Sequence, residues 1–282
     1  MADDVRRRYL AQQMELGGAE VVLPAGAARF ARATTDRAAS LDPAARRPDR
    51  ASSSTPEDRP VSTAGIPDPA KYLKGLPPIP GPGLVIEPPV PDLMAGGPAL
   101  DSLDAVAEAI AGCRKCPLCE GRTRTVPGEG VPTATLMCVG EGPGQTEDET
   151  GRPFVGAAGQ LLDEILAAIG MSRQTNTFIA NIVKCRPPQN RKPLPDEMAA
   201  CLPYLHRQIA LVRPRVILAL GSTAAEGLLG SRKALGELRN RVHTYGGIPL
   251  VVTYHPAALL RNPAWKKPTW DDVRIARQLL DR

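Results

Sequence analysis

The sequence predicts an α/β fold, a three-layer αβα domain on a central, mainly parallel four-stranded sheet. Two observations support this prediction. Short apolar runs that end at a glycine or a polar residue are typical of buried strands. Between them lie segments whose apolar residues recur at helical spacing, and this alternation is that of βαβ units. A disordered amino-terminal extension is predicted to precede the domain.

The predicted elements follow one another after residue 110. The strands are 134–139, 177–184, 215–220 and 248–254, and the helices are 157–169, 195–211, 222–229 and 270–280. In the first helix Leu162, Leu166 and Ile169 repeat at helical spacing, and Pro195 suits the first turn of the second. The carboxyl ends of parallel strands share one sheet edge, where ligands bind. That edge is the predicted active site.

Residues 1–100 have a different composition from the rest. They hold half of the chain's 30 prolines, whereas all six cysteines and both tryptophans come later. Segments rich in Ala, Pro, Ser and Gly bury too little apolar surface to offset chain entropy. We therefore expect a disordered extension over 1–100, with a short helix near 3–16, and one domain over 101–282. A plain tether is the simpler interpretation of the extension, although it could bind a protein partner.

The net charge of +5 arises entirely after residue 100. A modest basic excess fits a polyanionic partner but equally fits plain solubility. No stretch approaches the ~20 apolar residues of a membrane span, and no apolar signal segment follows the first residues. We expect a cytoplasmic, monomeric protein without membrane contact. In a reducing compartment, six cysteines indicate metal binding or redox chemistry rather than disulfides.

Two glycine-rich segments follow the first predicted strand. The segment 140–148 lets the backbone approach a ligand closely, although alone it could be only a tight turn. It contains Glu141 and Glu147. Phe154 comes next, just before a helix, where an aromatic ring could stack on a base; a lone Phe is more often part of a core.

Polar residues follow two further strands. Asn181 can offer a donor and an acceptor to the Watson–Crick edge of a pyrimidine. His255 follows the last strand and could donate a hydrogen bond to a leaving base. The loop after Asn181 is basic and suits phosphate contacts. The residues predicted to contact DNA are Lys184, Arg186, Arg191, Lys192 and Arg261.

The cysteines predict a metal site. Cys113 and Cys116 form a C-x2-C pair, and Cys185 and Cys201 lie far along the chain. Four thiolates from two segments can bind zinc or an iron-sulfur cluster, and spacing does not decide between them. Cys119 leaves the ligand set open, because it forms an equally good pair with Cys116.

Together these motifs closely resemble the family 4 uracil-DNA glycosylases, the iron-sulfur branch of that superfamily. The resemblance covers roughly residues 111–282 and omits the first hundred. It rests on four segments in the same order: 140–148, 154–159, 181–193 and 255–260. Several ordered motifs are far more specific than any one of them.

The resemblance implies a DNA-repair hydrolase that flips uracil from single- or double-stranded DNA and leaves an abasic site. It implies that Glu141 positions water or stabilises charge on the sugar, and that His255 stabilises the departing uracil anion. Phe154 would stack on uracil and Asn181 would read its polar edge. The other substrate-binding residues that it implies are Gly142, Glu147 and Asn190.

The resemblance also implies a [4Fe-4S] cluster. Its ligands would be Cys113, Cys116, Cys185 and Cys201, which makes Cys119 a non-ligand. We expect the cluster to hold the basic loop in shape rather than to carry electrons. The competing hypothesis is a catalytically inactive glycosylase-like module that binds DNA.

Two details of the resemblance concern the first motif. Alanine usually stands in the family where this chain has Gly142, and Glu147 would lie near C5 of the base and help to exclude thymine. A relative that captures uracil covalently has an insertion with a nucleophilic histidine after the second strand. Here Arg191, Lys192 and Pro193 continue without one. Turnover is therefore expected.

Overall fold

The computed structural model describes residues 75–88 and 100–282. In these residues one sheet has seven strands, in the order β1-β6-β7-β5-β3-β4-β2. The strands are β1 (Pro82–Ile86), β2 (Glu129–Gly130), β3 (Leu136–Gly140), β4 (Thr177–Asn181), β5 (Val216–Leu220), β6 (Val242–Tyr245) and β7 (Ile248–Thr253). The pairings are parallel except β6 with β7 and β2 with β4. The predicted mainly parallel architecture is confirmed.

Helices cover both faces of the sheet. They are α1 (Leu103–Ala111), α2 (Leu118–Gly121), α3 (Gln145–Thr150), α4 (Ala157–Ala167), α5 (Pro195–Val212), α6 (Ser222–Leu229), α7 (Leu235–Leu238), α8 (Pro256–Arg261) and α9 (Lys266–Leu280). The core side chains of α1, α5, α6 and α7 pack on one face, and those of α4 and α9 pack on the other. No helix in the described part of the chain is long and apolar enough to cross a membrane.

The central strands are apolar on both faces because both are covered. In β3, Met137 and Val139 join the core beneath α5 and α6, while Leu136 and Cys138 join the core beneath α4 and α9. Alternate side chains of a strand point to opposite faces, so continuous apolar runs are needed here. Cys138 is fully buried, as a small apolar residue would be.

The sheet is larger than the four strands that the sequence predicts. The four predicted strands are the central ones, and the three missed strands are β1, β2 and β6. Strand β1 lies within the extension predicted to be disordered, so that prediction is wrong for residues 82–86. The helix predicted near 3–16 lies outside the described residues.

A buried histidine fixes strand β1 to its neighbour. The Nδ1 atom of His243 accepts a hydrogen bond from the backbone N–H of Leu84 at 3.0 Å, and its Nε2 lies 2.7 Å from the carbonyl oxygen of Leu238. A Cβ atom on Gly83 would lie 2.5 Å from His243 Nδ1, so only glycine permits this approach. His243 therefore has a structural role in joining β1, β6 and α7.

Candidate active site and cysteine-lined cavity

A cavity of about 460 Å³ opens at the carboxyl edge of the central strands. Its walls come from the loops that follow β3, β4, β5 and β7, the segments expected to converge. The predicted site residues in its lining are Glu141, Gly142, Glu147, Phe154, Asn181, Asn190, Arg191, Lys192, His255 and Arg261. Of the residues predicted to contact substrate or DNA, Lys184 and Arg186 do not line it.

Glu141 is held by both its backbone and its carboxylate. Its carbonyl oxygen accepts from the N–H of Val183 at 3.1 Å, which extends the β3–β4 pairing past the strand ends. Its Oε2 accepts from the Thr223 hydroxyl at 2.5 Å. Burial raises the pKa of the Glu141 carboxyl, and the Thr223 hydrogen bond opposes that shift, as do the charges of Lys192 and Arg261. A carboxylate with a raised pKa in a cleft is suited to accept a proton.

Asn181 ends strand β4 with its side chain in the cavity wall. The residue is 1% exposed, and its Oδ1 is a buried atom without a hydrogen-bond partner in the described structure. Such an atom costs about 1–3 kcal/mol unless something binds it. A Cβ on Gly140 would lie 2.5 Å from that oxygen, so the glycine makes room for the amide. An amide oxygen in this position can accept a hydrogen bond from a ligand that carries a matching donor.

The buried position of Lys184 contradicts one prediction. The sequence predicts a DNA contact, but the residue is 1% exposed, and its Nζ donates to the carbonyl oxygen of Asn181 at 2.8 Å and to Oε1 of Gln208 at 2.7 Å. Burial lowers the pKa of Lys184 to about 8. Lys184 therefore supports the backbone of Asn181 from inside the fold and does not face DNA.

Phe154 lies beside Asn181 in the cavity lining, in a constrained conformation. Its φ is 52°, in the left-handed region that non-glycine residues rarely adopt. Arg173, 5% exposed, donates from Nη2 to the Phe154 carbonyl oxygen at 2.7 Å and from Nη1 to that of Pro153 at 2.8 Å. The ring is only 6% exposed, and its centroid lies 5.4 Å from that of His255. The aromatic wall is therefore fixed in advance.

Gly159→Ala should displace this aromatic wall. A Cβ at Gly159 would lie 1.9 Å from the Phe154 carbonyl oxygen, and backbone cannot move aside as a side chain does. If the protein acts on a base held by Phe154, kcat/KM should fall about 10²-fold, the cost of a displacement near 1 Å. The matched control is Gly236→Ala, also on a helix and with nothing within 4 Å of the added atom. Equal kcat/KM for the two variants would contradict this role of Gly159.

Glu147 joins the two glycine-rich segments. Its carboxylate accepts from the N–H groups of Val155 and Gly156, each at 2.9 Å, and from that of Gly144 at 3.1 Å. The neighbouring Gly142 is packed closely, since a Cβ there would lie 2.7 Å from Cγ2 of Val183. Glu147 thus determines how the segments bearing Glu141 and Phe154 meet, and its exclusion of thymine stays a prediction.

His255 occupies the N-cap of α8. Its Nδ1 accepts a hydrogen bond from the N–H of Ala257 at 3.2 Å. Burial lowers the pKa of His255 to about 4; the charge of Arg261 lowers it further, and that of Glu147 opposes this. A neutral ring whose Nδ1 accepts must carry its proton on Nε2. His255 is therefore a neutral hydrogen-bond donor.

The predicted basic residues have partners on the protein. Arg191 forms a two-point ion pair with buried Glu197, at 2.6 and 2.8 Å, and Lys192 pairs with Glu226 at 2.7 Å. Both keep substantial exposure, with 39% and 49% of their side chains accessible. The Nε of Arg186 donates to Oδ1 of Asn190 at 2.7 Å, which braces the loop.

Five cysteines line a second, smaller cavity. They are Cys113, Cys116, Cys119, Cys185 and Cys201. Arg122 donates from Nη1 to the Cys185 sulfur at 3.2 Å, and the N–H of Lys184 donates to the Cys201 sulfur at 3.3 Å. The described residues contain no group of three or more His, Cys, Asp and Glu placed to hold one metal ion. The donor set nevertheless fits a thiolate-bound group, because both hydrogen bonds stabilise negatively charged sulfur.

Sequence reasoning missed the residues that hold the site in place. Thr223, Arg173 and Gln208 bind Glu141, the Phe154 loop and Lys184, respectively. Thr223 follows β5 at the predicted edge, and that position was the one available signal. Arg173 and Gln208 lie away from that edge and carry no local motif.

Comparison with known proteins identifies the class and then the family. Residues 127–276 match the family model described as the uracil DNA glycosylase superfamily. A type-4 uracil-DNA glycosylase of Pyrobaculum aerophilum is 50% identical over 183 residues, which are 61% of this chain and 92% of that protein. The type-4 enzyme of Thermotoga maritima is 46% identical over 184 residues, 64% of this chain and 95% of the relative. A type-5 enzyme of Thermus thermophilus is 32% identical over 188 residues, 54% and 85% of the two chains.

A mainly parallel sheet with a carboxylate, an amide and a neutral imidazole around one cavity at its carboxyl edge is typical of an enzyme of the α/β class. The chain belongs to the uracil DNA glycosylase superfamily and, within it, to the type-4 uracil-DNA glycosylases. The resemblance found in the motifs is thereby confirmed.

Proposed function

We propose that the protein excises uracil from DNA by hydrolysing the bond between the base and deoxyribose, leaving an abasic site. The buried Oδ1 of Asn181, which has no hydrogen-bond partner among the described residues, carries this proposal, because the side chain lines the cavity beside the aromatic ring of Phe154. Uracil has a polar edge with a donor and acceptors and a flat face for stacking. The substrate is uracil-containing DNA, and the base enters the cavity by leaving the helical stack, at a cost of a few kcal/mol.

The recognition step uses two walls that are already in place. The uracil ring stacks on Phe154, and its N3–H and an adjacent carbonyl meet the side-chain amide of Asn181. A site built to hydrogen-bond one polar edge rejects bases with a different pattern, because its buried polar groups would stay unpaired. Asn181 therefore gives specificity, and Lys184 keeps its backbone in position.

The bond-breaking step develops opposite charges on sugar and base. As the bond between C1′ and N1 breaks, its electron pair moves to uracil, and the sugar becomes an oxocarbenium-like cation. The Nε2–H of His255 donates to the uracil oxygen that gains charge. The Glu141 carboxylate stabilises the cation and accepts a proton from the water that adds to C1′.

We also propose that Cys113, Cys116, Cys185 and Cys201 hold a [4Fe-4S] cluster. Their presence around one cavity, with hydrogen bonds to two of the sulfurs, supports this ligand set. When bound, the cluster supplies a cross-link between the segment 113–116 and the segment 185–201. That cross-link would hold the loop bearing Arg186, Arg191 and Lys192, which is a structural role.

Replacing a proposed ligand and replacing Cys119 should have different effects on iron content and stability. We expect Cys185→Ser to lose iron and visible absorbance and to lower the free energy of unfolding by about 2 kcal/mol or more. Cys119→Ser, which alters the same cavity, should keep both iron and stability. Iron analysis and thermal unfolding of the two variants check this. Loss of iron in Cys119→Ser with retention in Cys185→Ser would overturn the ligand set.

The test of the activity is release of uracil. Purified protein is incubated with single- and double-stranded oligonucleotides containing one uracil, and abasic sites are detected by alkaline cleavage. We expect cleavage with uracil and none with thymine at the same position. A protein that binds these oligonucleotides but releases no base between pH 6 and 9 would instead be an inactive DNA-binding module.

A further inference from the structure

A second aromatic surface lies at the rim of the active-site cavity. Trp265 and Tyr254 both line the cavity, and their rings stack with centroids 4.7 Å apart and planes 8° from parallel. The guanidinium of Arg239 lies over the Tyr254 ring, 4.4 Å from its centroid. Neither aromatic belongs to the motifs of the sequence analysis, and the proposed mechanism uses neither.

Buried polar contacts hold the aromatic stack in place. Arg239 is only 7% exposed, and its Nε donates to the buried carboxylate of Asp272 at 2.8 Å. The hydroxyl of Thr253, one residue before Tyr254, donates to the same carboxylate at 2.7 Å. With Arg239 and Trp265 both against its ring, Tyr254 has little freedom to tilt. Trp265, like Tyr254, is only partly buried.

The residues around Trp265 are basic. Lys266 and Lys267 follow it directly and are exposed, and neither side chain has a hydrogen bond or ion pair among the described residues. They begin helix α9, where the helix dipole favours acidic side chains, and the first turn has none. Helix stability therefore does not explain two lysines here. An aromatic ring beside lysines is the combination that binds single-stranded nucleic acid.

We propose that Trp265 is a stacking platform for the base next to the flipped uracil in single-stranded DNA, and that Lys266 and Lys267 contact the neighbouring phosphates. This inference rests on the proposed function, since the cavity defines where the uracil lies. A base in a single strand has a free face, whereas its counterpart in a duplex is covered by its neighbours. Single-stranded substrate therefore gains most from the platform.

The first experiment removes either the platform or the base that it would hold. Trp265→Ala and Trp265→Phe are assayed on single strands in which uracil has normal neighbours, or an abasic nucleotide on one side. When both bases next to uracil are present, we expect Trp265→Ala to lower kcat/KM about tenfold. When the base that stacks on Trp265, on either the 5′ or the 3′ side of uracil, is replaced by an abasic nucleotide, the substitution should have little effect on kcat/KM. Trp265→Phe, which keeps a ring, should stay within a few-fold of the natural protein.

The abasic neighbour separates stacking from a merely structural role. If Trp265 only holds Tyr254 and the adjoining His255, Trp265→Ala will lose the same factor on every strand, and the proposal is overturned. If the natural protein releases no uracil from any strand, the proposed function fails instead.

A second readout does not depend on uracil release. The chain has two tryptophans, so Trp270→Phe leaves Trp265 as the only one. Titration of this variant with a single strand lacking uracil should quench its fluorescence by base stacking. Trp265→Phe, which leaves Trp270 packed near Arg274, should show little quenching. Equal quenching in the two variants would contradict the platform.

The salt dependence of DNA affinity tests the role of Lys266 and Lys267. Each phosphate contact to a single strand contributes about 0.7 to the slope of log affinity against log salt. Lys266→Ala with Lys267→Ala should lower that slope by about 1.4. The control is Arg215→Ala, an exposed charge that directly precedes β5 at the opposite end of the sheet. An unchanged slope in the double variant would remove the lysines from the proposal.

Discussion

Asn181→Ala should lower kcat/KM for uracil excision about 10³-fold while leaving affinity for DNA without uracil nearly unchanged. Among the described residues that line the cavity, Oδ1 of Asn181 is the one buried side-chain oxygen without a hydrogen-bond partner. Without this side chain, the polar edge of uracil would lose its hydrogen bonds to water on entering the cavity and would form none with the protein in their place. The loss should appear with uracil in single and double strands alike, since recognition follows flipping.

Asn190→Ala is the matched control for Asn181→Ala. Asn190 also lines the cavity with an amide, but its Oδ1 already accepts from Arg186. Its loss should loosen the loop and reduce kcat/KM less than tenfold. Thermal unfolding of both variants shows whether either has lost its fold. An Asn181→Ala enzyme within tenfold of the natural rate would mean that another group reads the base.

Glu141→Gln should lower kcat by about 10²- to 10³-fold and should remove the acidic limb of the pH–rate profile. The carboxylate acts in its charged form, which is lost as the pH falls through its pKa. Burial raises that pKa, so the limb should lie above the ordinary value of 4.5 for a glutamate. Burial lowers the pKa of His255 to about 4, so the imidazole is mainly neutral over most of the pH range in which the enzyme is assayed.

His255→Gln distinguishes the two titrating groups. Glutamine keeps a hydrogen-bond donor but does not titrate in this pH range, so this variant should be slower yet retain the acidic limb. The profile of kcat is measured from pH 4.5 to 8 for the natural protein and both variants. A limb that persists in Glu141→Gln and vanishes in His255→Gln would assign it to the histidine and contradict our interpretation.

The sequence predicts the middle of the fold better than its edges. Strands β3, β4, β5 and β7 are covered on both faces, so their apolar runs stand out. Strand β2 has two residues, and β1 lies in a proline-rich stretch with a glycine, features that also mark loops. Edge strands are held chiefly by backbone pairing and by contacts such as that of His243, which leave little periodic signal.

Some site residues can also be predicted from the local sequence, whereas others are positioned by residues far along the chain. Asn181 is the last residue of a strand, and Glu141 and His255 come just after strands, so the topology of a parallel sheet brings the three together. The prediction that Lys184 contacts DNA is wrong because a lysine in a basic loop is usually exposed to solvent. Here its side chain is buried and donates to Gln208 on α5, a contact that the local sequence does not indicate. The ligand set of the cysteines stays a prediction, since five of them line one cavity.

The position of β1 affects where the protein can be shortened. Starting the chain at residue 101, where composition suggests a boundary, would remove β1 and leave without partners those backbone N–H and C=O groups of β6 that face β1 rather than β7. Unpaired edges of this kind recruit strands from other molecules. Arg274 and Gln278 would also lose their hydrogen bonds to the carbonyl oxygens of Gly75 and Pro77. A shortened protein should therefore begin before residue 75 if it is to remain dispersed at high concentration.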